Sequence, residues 1–200
     1  MKSCLETLPI RHAQLPDLRD HQTRMDYARQ KIYGLTEPLL LENAIVLPKS
    51  LDPALTYKCR VTYGEKIQKI EFEPYLPRPV HTLKLIQANH LDYAHKYADR
   101  TAINHLFAQR GPADDVLMLR NGLLTDTSYA NVALYDGTRW YTPARPMLPG
   151  TQRARLLREG ILQTADIRPA DLPDFQYMRL INAMLVWEGE LTGGGCTVIW

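Results

Sequence analysis

Three prolines, Pro74, Pro77 and Pro79, fall within six residues near the first third of the chain. Each lacks a backbone N–H and fixes φ, so neither a helix nor a central strand can run through the segment. The chain is therefore expected to fold in two lobes, residues 1–78 and residues 79–200, each mixing strands with helices.

Ahead of the prolines, Leu5 to Ile10 reads as a short strand. Asp17 to Tyr33 carries Leu18, His21, Met25, Ala28 and Ile32 at helical spacing, and Gly34 closes it. Thr56 to Gly64 and Lys66 to Tyr75 alternate apolar and polar residues around a Gly-Glu turn, the pattern of a hairpin. Beyond the prolines, Val80 to Ile86 reads as extended and Arg100 to Gln109 as helical. Val116 to Leu119 and Asn131 to Gly137 read as strands, with Asn121-Gly122 as a turn between. Pro149 to Leu162 has the form of a Gly-rich turn feeding a helix rich in Arg and Leu. Near the end, Gly193 to Cys196 reads as a turn before a last strand; no helix follows it, so it is no dinucleotide fingerprint.

Twenty-four Lys and Arg stand against 22 Asp and Glu, a net charge of +2 that makes no electrostatic case for nucleic acid or an anionic membrane. The three cysteines, Cys4, Cys59 and Cys196, form no CxxC, and the histidines have no ligand spacing. A disulfide scaffold and a metal site are not expected. No stretch of eighteen apolar residues and no apolar run of signal-peptide length occurs, so the expected location is the cytoplasm.

The lysines narrow the chemistry. All eight lie in the first 96 residues, so an amine nucleophile has to come from there. Most read as solvated surface charges. Lys96 differs: DYAHKYADR sets it between Tyr93 and Tyr97 at the foot of an apolar helix, where partial desolvation lowers an ammonium pKa and readies the amine to attack a carbonyl. Asp126 lies in LLTDTSYAN, a run otherwise small, hydroxyl-bearing or apolar, and reads either as a solvated turn acid or as a buried carboxylate retained for a positive partner. Gly150 and Thr151 precede a helix, a place for a cap or for a phosphate. His21 is read as packing or bonding within its own helix.

In this order the pieces resemble the class IV aminotransferase family, the fold-type IV pyridoxal phosphate (PLP) enzymes that include branched-chain and D-amino-acid aminotransferases and 4-amino-4-deoxychorismate lyases. LETLPI resembles the family's F-E-T strand and HQTRM its H-x-x-R-L/M helix. KYADR resembles the lyase-type K-x-x-N-R segment, LTDTSYAN the E-x-x-x-x-N strand, and YTPARPMLPGTQR the phosphate turn. The resemblance implies an α/β fold with a small lobe and a larger pseudo-barrel lobe carrying the lysine. It implies that Lys96 forms a Schiff base with PLP and moves the substrate's α-proton. Arg24 would pair with the phosphate, Thr151 and Gln152 would complete the phosphate cup, and Asp126 would keep the pyridine nitrogen protonated.

Some positions depart from the pattern. Asp126 stands where many members have Glu, and GTQR replaces GITR, which leaves the phosphate contact open between Thr151 and Gln152. Thr101 occupies the position of the branched-chain enzymes' Tyr, and about 25 residues usual before F-E-T are absent. The leading expectation is a lyase that releases pyruvate and 4-aminobenzoate from 4-amino-4-deoxychorismate in folate biosynthesis, with Thr7 as the hydroxyl that assists protonation. The alternatives are an aminotransferase for a branched-chain or D-amino acid, and a non-catalytic PLP-binding or interaction protein. A homodimer acting on a small amino substrate is expected.

Overall fold

The computed structural model describes residues 2–187 and 197–199. The chain divides into two compact units, Met1–Pro77 with His95–Asp99, and Arg78–Ala94 with Arg100–Trp200.

In the first unit, β1 (Cys4–Ile10), α1 (Arg19–Tyr33), a one-turn α2 (Leu41–Ala44), β2 (Tyr57–Tyr63) and β3 (Ile67–Pro74) follow in order. The strands form an antiparallel sheet in the order β1-β2-β3. Register places Leu8 opposite Cys59 and Phe72, and Thr7 opposite Arg60 and Glu71. Since side chains alternate along a strand, the two faces differ in chemistry. One holds Cys4, Leu8, Ile10, Cys59, Val61 and Tyr63, packed with Met25 and Ala28 of α1 into a core. The other carries Lys58, Arg60 and Glu73, with Glu73 paired to Lys58 at 2.6 Å and Arg60 at 3.2 Å. α1 stops where Gly34 takes φ of +70° and its N–H donates to the Gln30 carbonyl. That left-handed turn is open to glycine at no steric cost.

The free edge of β1 is covered by a segment from much later in the chain. Leu5 N–H donates to the Lys96 carbonyl and Ala98 N–H to the Ser3 carbonyl, both at 2.8 Å, around an antiparallel bridge between Cys4 and Tyr97. The expected division at residue 78 put Lys96 in the second lobe. These backbone bonds instead draw His95–Asp99 into the first unit. Three prolines mark where the main chain leaves, but nothing in their pattern reports that a five-residue segment returns.

The second unit contains β4 (Thr82–Gln87), α3 (Thr101–Ala108), β5 (Asp115–Arg120), β6 (Leu123–Thr127), β7 (Asn131–Tyr135), β8 (Trp140–Pro143), α4 (Thr151–Arg158) and β9 (Leu162–Ala165). A 3₁₀ turn (Pro169–Asp174), β10 (Tyr177–Ile181) and β11 (Thr197–Ile199) complete it. The sheet runs β11-β4-β5-β6-β7-β8-β9, with β10 added on β7. Leu83, Leu117, Leu124, Val132 and Leu134 form its core. Asn121 and Gly122 turn between β5 and β6 with φ of 52° and 77°. Within Pro149 to Leu162 the turn feeds a helix as expected; α4 ends at Arg158, Gly160 reverses the chain at φ of +72°, and Leu162 opens β9. The expected turn at Gly193 to Cys196 lies outside the described residues.

Candidate active site

The first unit supplies two groups of residues around one strand. Glu6 occupies an inward position of β1, fully buried. His21 and Arg24, three apart on α1, both reach it. Arg24 donates from Nε to Oε1 at 3.0 Å and from Nη2 to Oε2 at 2.5 Å, and His21 Nδ1 lies 2.6 Å from Oε2. Burial alone raises the Glu6 carboxyl, but the charge of Arg24 and the hydrogen bonds from His21 and Arg24 take it down to about 2. A carboxylate at the bottom of the pair fixes a planar guanidinium in one orientation, as a bidentate anion contact requires. His21, read as packing or bonding within its helix, is buried on α1 and also pairs with a carboxylate on the strand. Glu6 was read only as part of a motif, since an acid in a strand gives no sign of which face it takes.

The other group is Lys96 and Thr7. Lys96 stands opposite Leu5, and Tyr97 packs against the core beside Cys4. Thr7 shares a face of β1 with Leu5 and Pro9. Lys96 and Thr7 are both half-buried. Thr7 is therefore on one face of β1, and the Glu6–His21–Arg24 group is on the other.

In the second unit, Asp126 is buried at 4% exposure near the end of β6. Its Oδ1 accepts from Asn131 Nδ2 and its Oδ2 from the Leu148 N–H, both at 2.8 Å. Burial pushes its carboxyl up to about 6 against these hydrogen bonds and the charge of Arg153. The reading of Asp126 as a solvated turn acid falls away. Asn131 also donates to the Leu148 carbonyl at 2.9 Å. A Cβ on Gly150 would lie 1.9 Å from Asn131 Oδ1, so the chain can approach here only as glycine.

α4 begins at the next residue. Gly150 is its N-cap and offers no side chain to cap the first turn, where Thr151 is buried and Gln152 half-buried. A first turn without a capping side chain suits an anion. Arg153 turns inward, donating from Nη2 to the Pro143 carbonyl at 2.9 Å and from Nε to Thr142 Oγ1 at 3.3 Å. Sequence reasoning missed Asn131 and Arg153 as site residues, although both stand inside the quoted motifs.

A buried carboxylate held by neutral donors and raised in pKa suits a cationic N–H, and an anion suits the start of α4 a short way along the chain. Such a pair of features matches a ligand with a protonated ring nitrogen and a phosphate. Among the described residues, no group of three or more His, Cys, Asp or Glu could hold a metal ion, and no helix is long and apolar enough to cross a membrane.

The mixed α/β architecture is that of the fold-type IV enzymes. The family model described as amino-transferase class IV matches residues 49–188, and the chain belongs to this family. It is 35% identical over 186 residues to an uncharacterized protein of Haemophilus influenzae, covering 92% of this chain and 98% of that one. It is similar to the crystal structure of a protein from Haemophilus somnus 129PT provisionally named a 4-amino-4-deoxychorismate lyase, with a TM-score of 0.81 and 28% identity over 92% of this chain and 97% of that one. The PLP-bound form of a hypothetical aminotransferase from Mycobacterium tuberculosis shares the fold at a TM-score of 0.73 and 18% identity, over 91% of this chain and 78% of that one.

Proposed function

We propose that the chain is a PLP-dependent lyase that releases pyruvate and 4-aminobenzoate from 4-amino-4-deoxychorismate. The observation that carries this reading is the backbone pairing that sets Lys96 against the edge of β1, the strand that also carries Thr7: an amine and a hydroxyl on one sheet edge suit proton delivery during an elimination. The likeness to the H. somnus protein supports it.

Bound PLP supplies an electron-accepting ring for the charge left at the substrate's α-carbon. Lys96 attaches the cofactor through its amine and then moves the α-proton. Asp126, ionised against a ring N–H, keeps that nitrogen protonated; a desolvated carboxylate gains most from such a partner. In the first unit Arg24, held by Glu6, is set to pair with an anion, and in the second the Thr151–Gln152 turn offers backbone N–H groups to a phosphate. Thr7 passes a proton at the departing three-carbon fragment. In this reading the enzyme works in the cytoplasm as a homodimer on a small amino substrate.

The purified protein given aminodeoxychorismate should release pyruvate and 4-aminobenzoate over many turnovers with no keto acid added. The family assignment favours a second reading, amino transfer to or from a branched-chain or D-amino acid. Stalling after one equivalent until a keto acid is supplied would establish that reading, and PLP uptake without either reaction would mark a non-catalytic binder.

A further inference from the structure

The Asn131 side chain touches both halves of the second unit's candidate site. From β7 its Nδ2 donates to Asp126 Oδ1 at 2.8 Å and to the Leu148 carbonyl at 2.9 Å. Its Oδ1 faces Gly150, filling the volume a Cβ would need there. Leu148 closes the ring of contacts by donating its own N–H to Asp126 Oδ2 at 2.8 Å. The side chain is buried, at 5% exposure. A carboxylate on β6, an amide on β7 and the chain entering α4 thus form one hydrogen-bonded block.

We propose that Asn131 is a positioning residue that locks the Asp126 carboxylate to the 148–151 turn, so that the contact to the cofactor's ring nitrogen and the contact to its phosphate are set as a single unit. This rests on the PLP reading. The block has two independent parts. The amide donates to a carboxylate and a carbonyl whose positions are then fixed together, and its oxygen defines how closely Gly150 approaches. An amide suits the task because it supplies two donors and an acceptor without adding a charge beside Asp126. A carboxylate at 131 would turn both donor contacts into acceptor–acceptor contacts.

The test uses PLP affinity, the pH titration of the bound cofactor's absorption, and thermal stability in Asn131→Ala, Asn131→Asp, Gly150→Ala and Asn131→Ala/Gly150→Ala. Losing donors to a buried charged group should weaken PLP binding about tenfold or more in both Asn131 variants and shift the cofactor titration. Asn131→Asp keeps the size of the side chain but loses the donors and adds a charge beside Asp126, so it should weaken binding at least as much as Asn131→Ala. Gly150→Ala should be harmful in the native background and much less so once Asn131 is Ala, because the clash is with that side chain. If Asn131→Ala does not fold, Asn131→Ser, which keeps a hydroxyl donor, replaces it in the same cycle. Unchanged PLP affinity and titration in the Asn131 variants, or strictly additive losses with Gly150→Ala, would overturn the proposal. If the native protein takes up no PLP, the cofactor reading fails, and the stability cycle of the apoprotein still decides whether residues 131 and 150 act as one piece.

Discussion

Arg24 meets Glu6 side-on, Nε to Oε1 at 3.0 Å and Nη2 to Oε2 at 2.5 Å, with the carboxylate wholly buried. Removing one partner of such a pair strands the other, so Glu6→Gln is expected to cost about 3 kcal/mol or more, measured by urea unfolding. Arg24→Ala should weaken PLP binding far more than it alters turnover at saturating cofactor. Glu6 titrates near 2 in the folded protein, below its ordinary 4.5, so its contribution is complete above about 4.5 and is lost as pH falls towards 2. The acid limb of the stability curve should flatten in Glu6→Gln.

Asp126 carries the opposite sign. Its carboxyl titrates near 6 when folded against an ordinary 3.8, so ionisation disfavours the folded state, by about 3 kcal/mol once pH exceeds 6. From this group alone, the apoprotein should gain stability as pH falls from about 6 to 4. Asp126→Asn should remove that gain. Saturation with PLP should also suppress it if a ring N–H pairs with the carboxylate. A stability curve with the same slope in apoprotein, PLP-saturated protein and Asp126→Asn would contradict the role given to Asp126.

Borohydride reduction of the PLP-saturated protein, followed by peptide mapping, should place the cofactor on Lys96. Label on Lys84 or on any other lysine would remove Lys96 from the reaction.

Thr7→Val keeps the shape of the side chain and deletes the hydroxyl. It should slow release of pyruvate and 4-aminobenzoate at least tenfold with little change in PLP affinity, since Thr7 and the Glu6–Arg24 pair lie on opposite faces of β1. Equal activity of Thr7→Val and the native enzyme would leave the hydroxyl without a part in the elimination.

The elements most legible in the sequence were those whose signals are local. The period of α1, its stop at Gly34 and the β2–β3 hairpin all follow from neighbouring residues. β8 and β10 gave weaker signals: Trp140–Pro143 is four residues long, and Tyr177–Ile181 pairs with β7 across more than forty residues of chain. The candidate site divides the same way. Lys96, Arg24 and Asp126 stood out by residue type within recognisable spacings. Glu6, Asn131 and Arg153 did not, because their significance lies in partners such as Arg24, Leu148 and Pro143, and only the folded chain brings these together.

The bond from Leu5 to Lys96 makes the first unit discontinuous in the chain. A ribosome will have released β1, β2 and β3 well before residues 95–99 emerge, and until then the Leu5 N–H and the Ser3 carbonyl line an open sheet edge. Such an edge is a template for pairing with other chains. A fragment ending at Pro77 would keep that edge permanently, so it should be prone to association even though both helices and all three strands are present. The five residues that bring Lys96 to the sheet thus also end the exposure of its edge, so the first fold is complete only when they arrive.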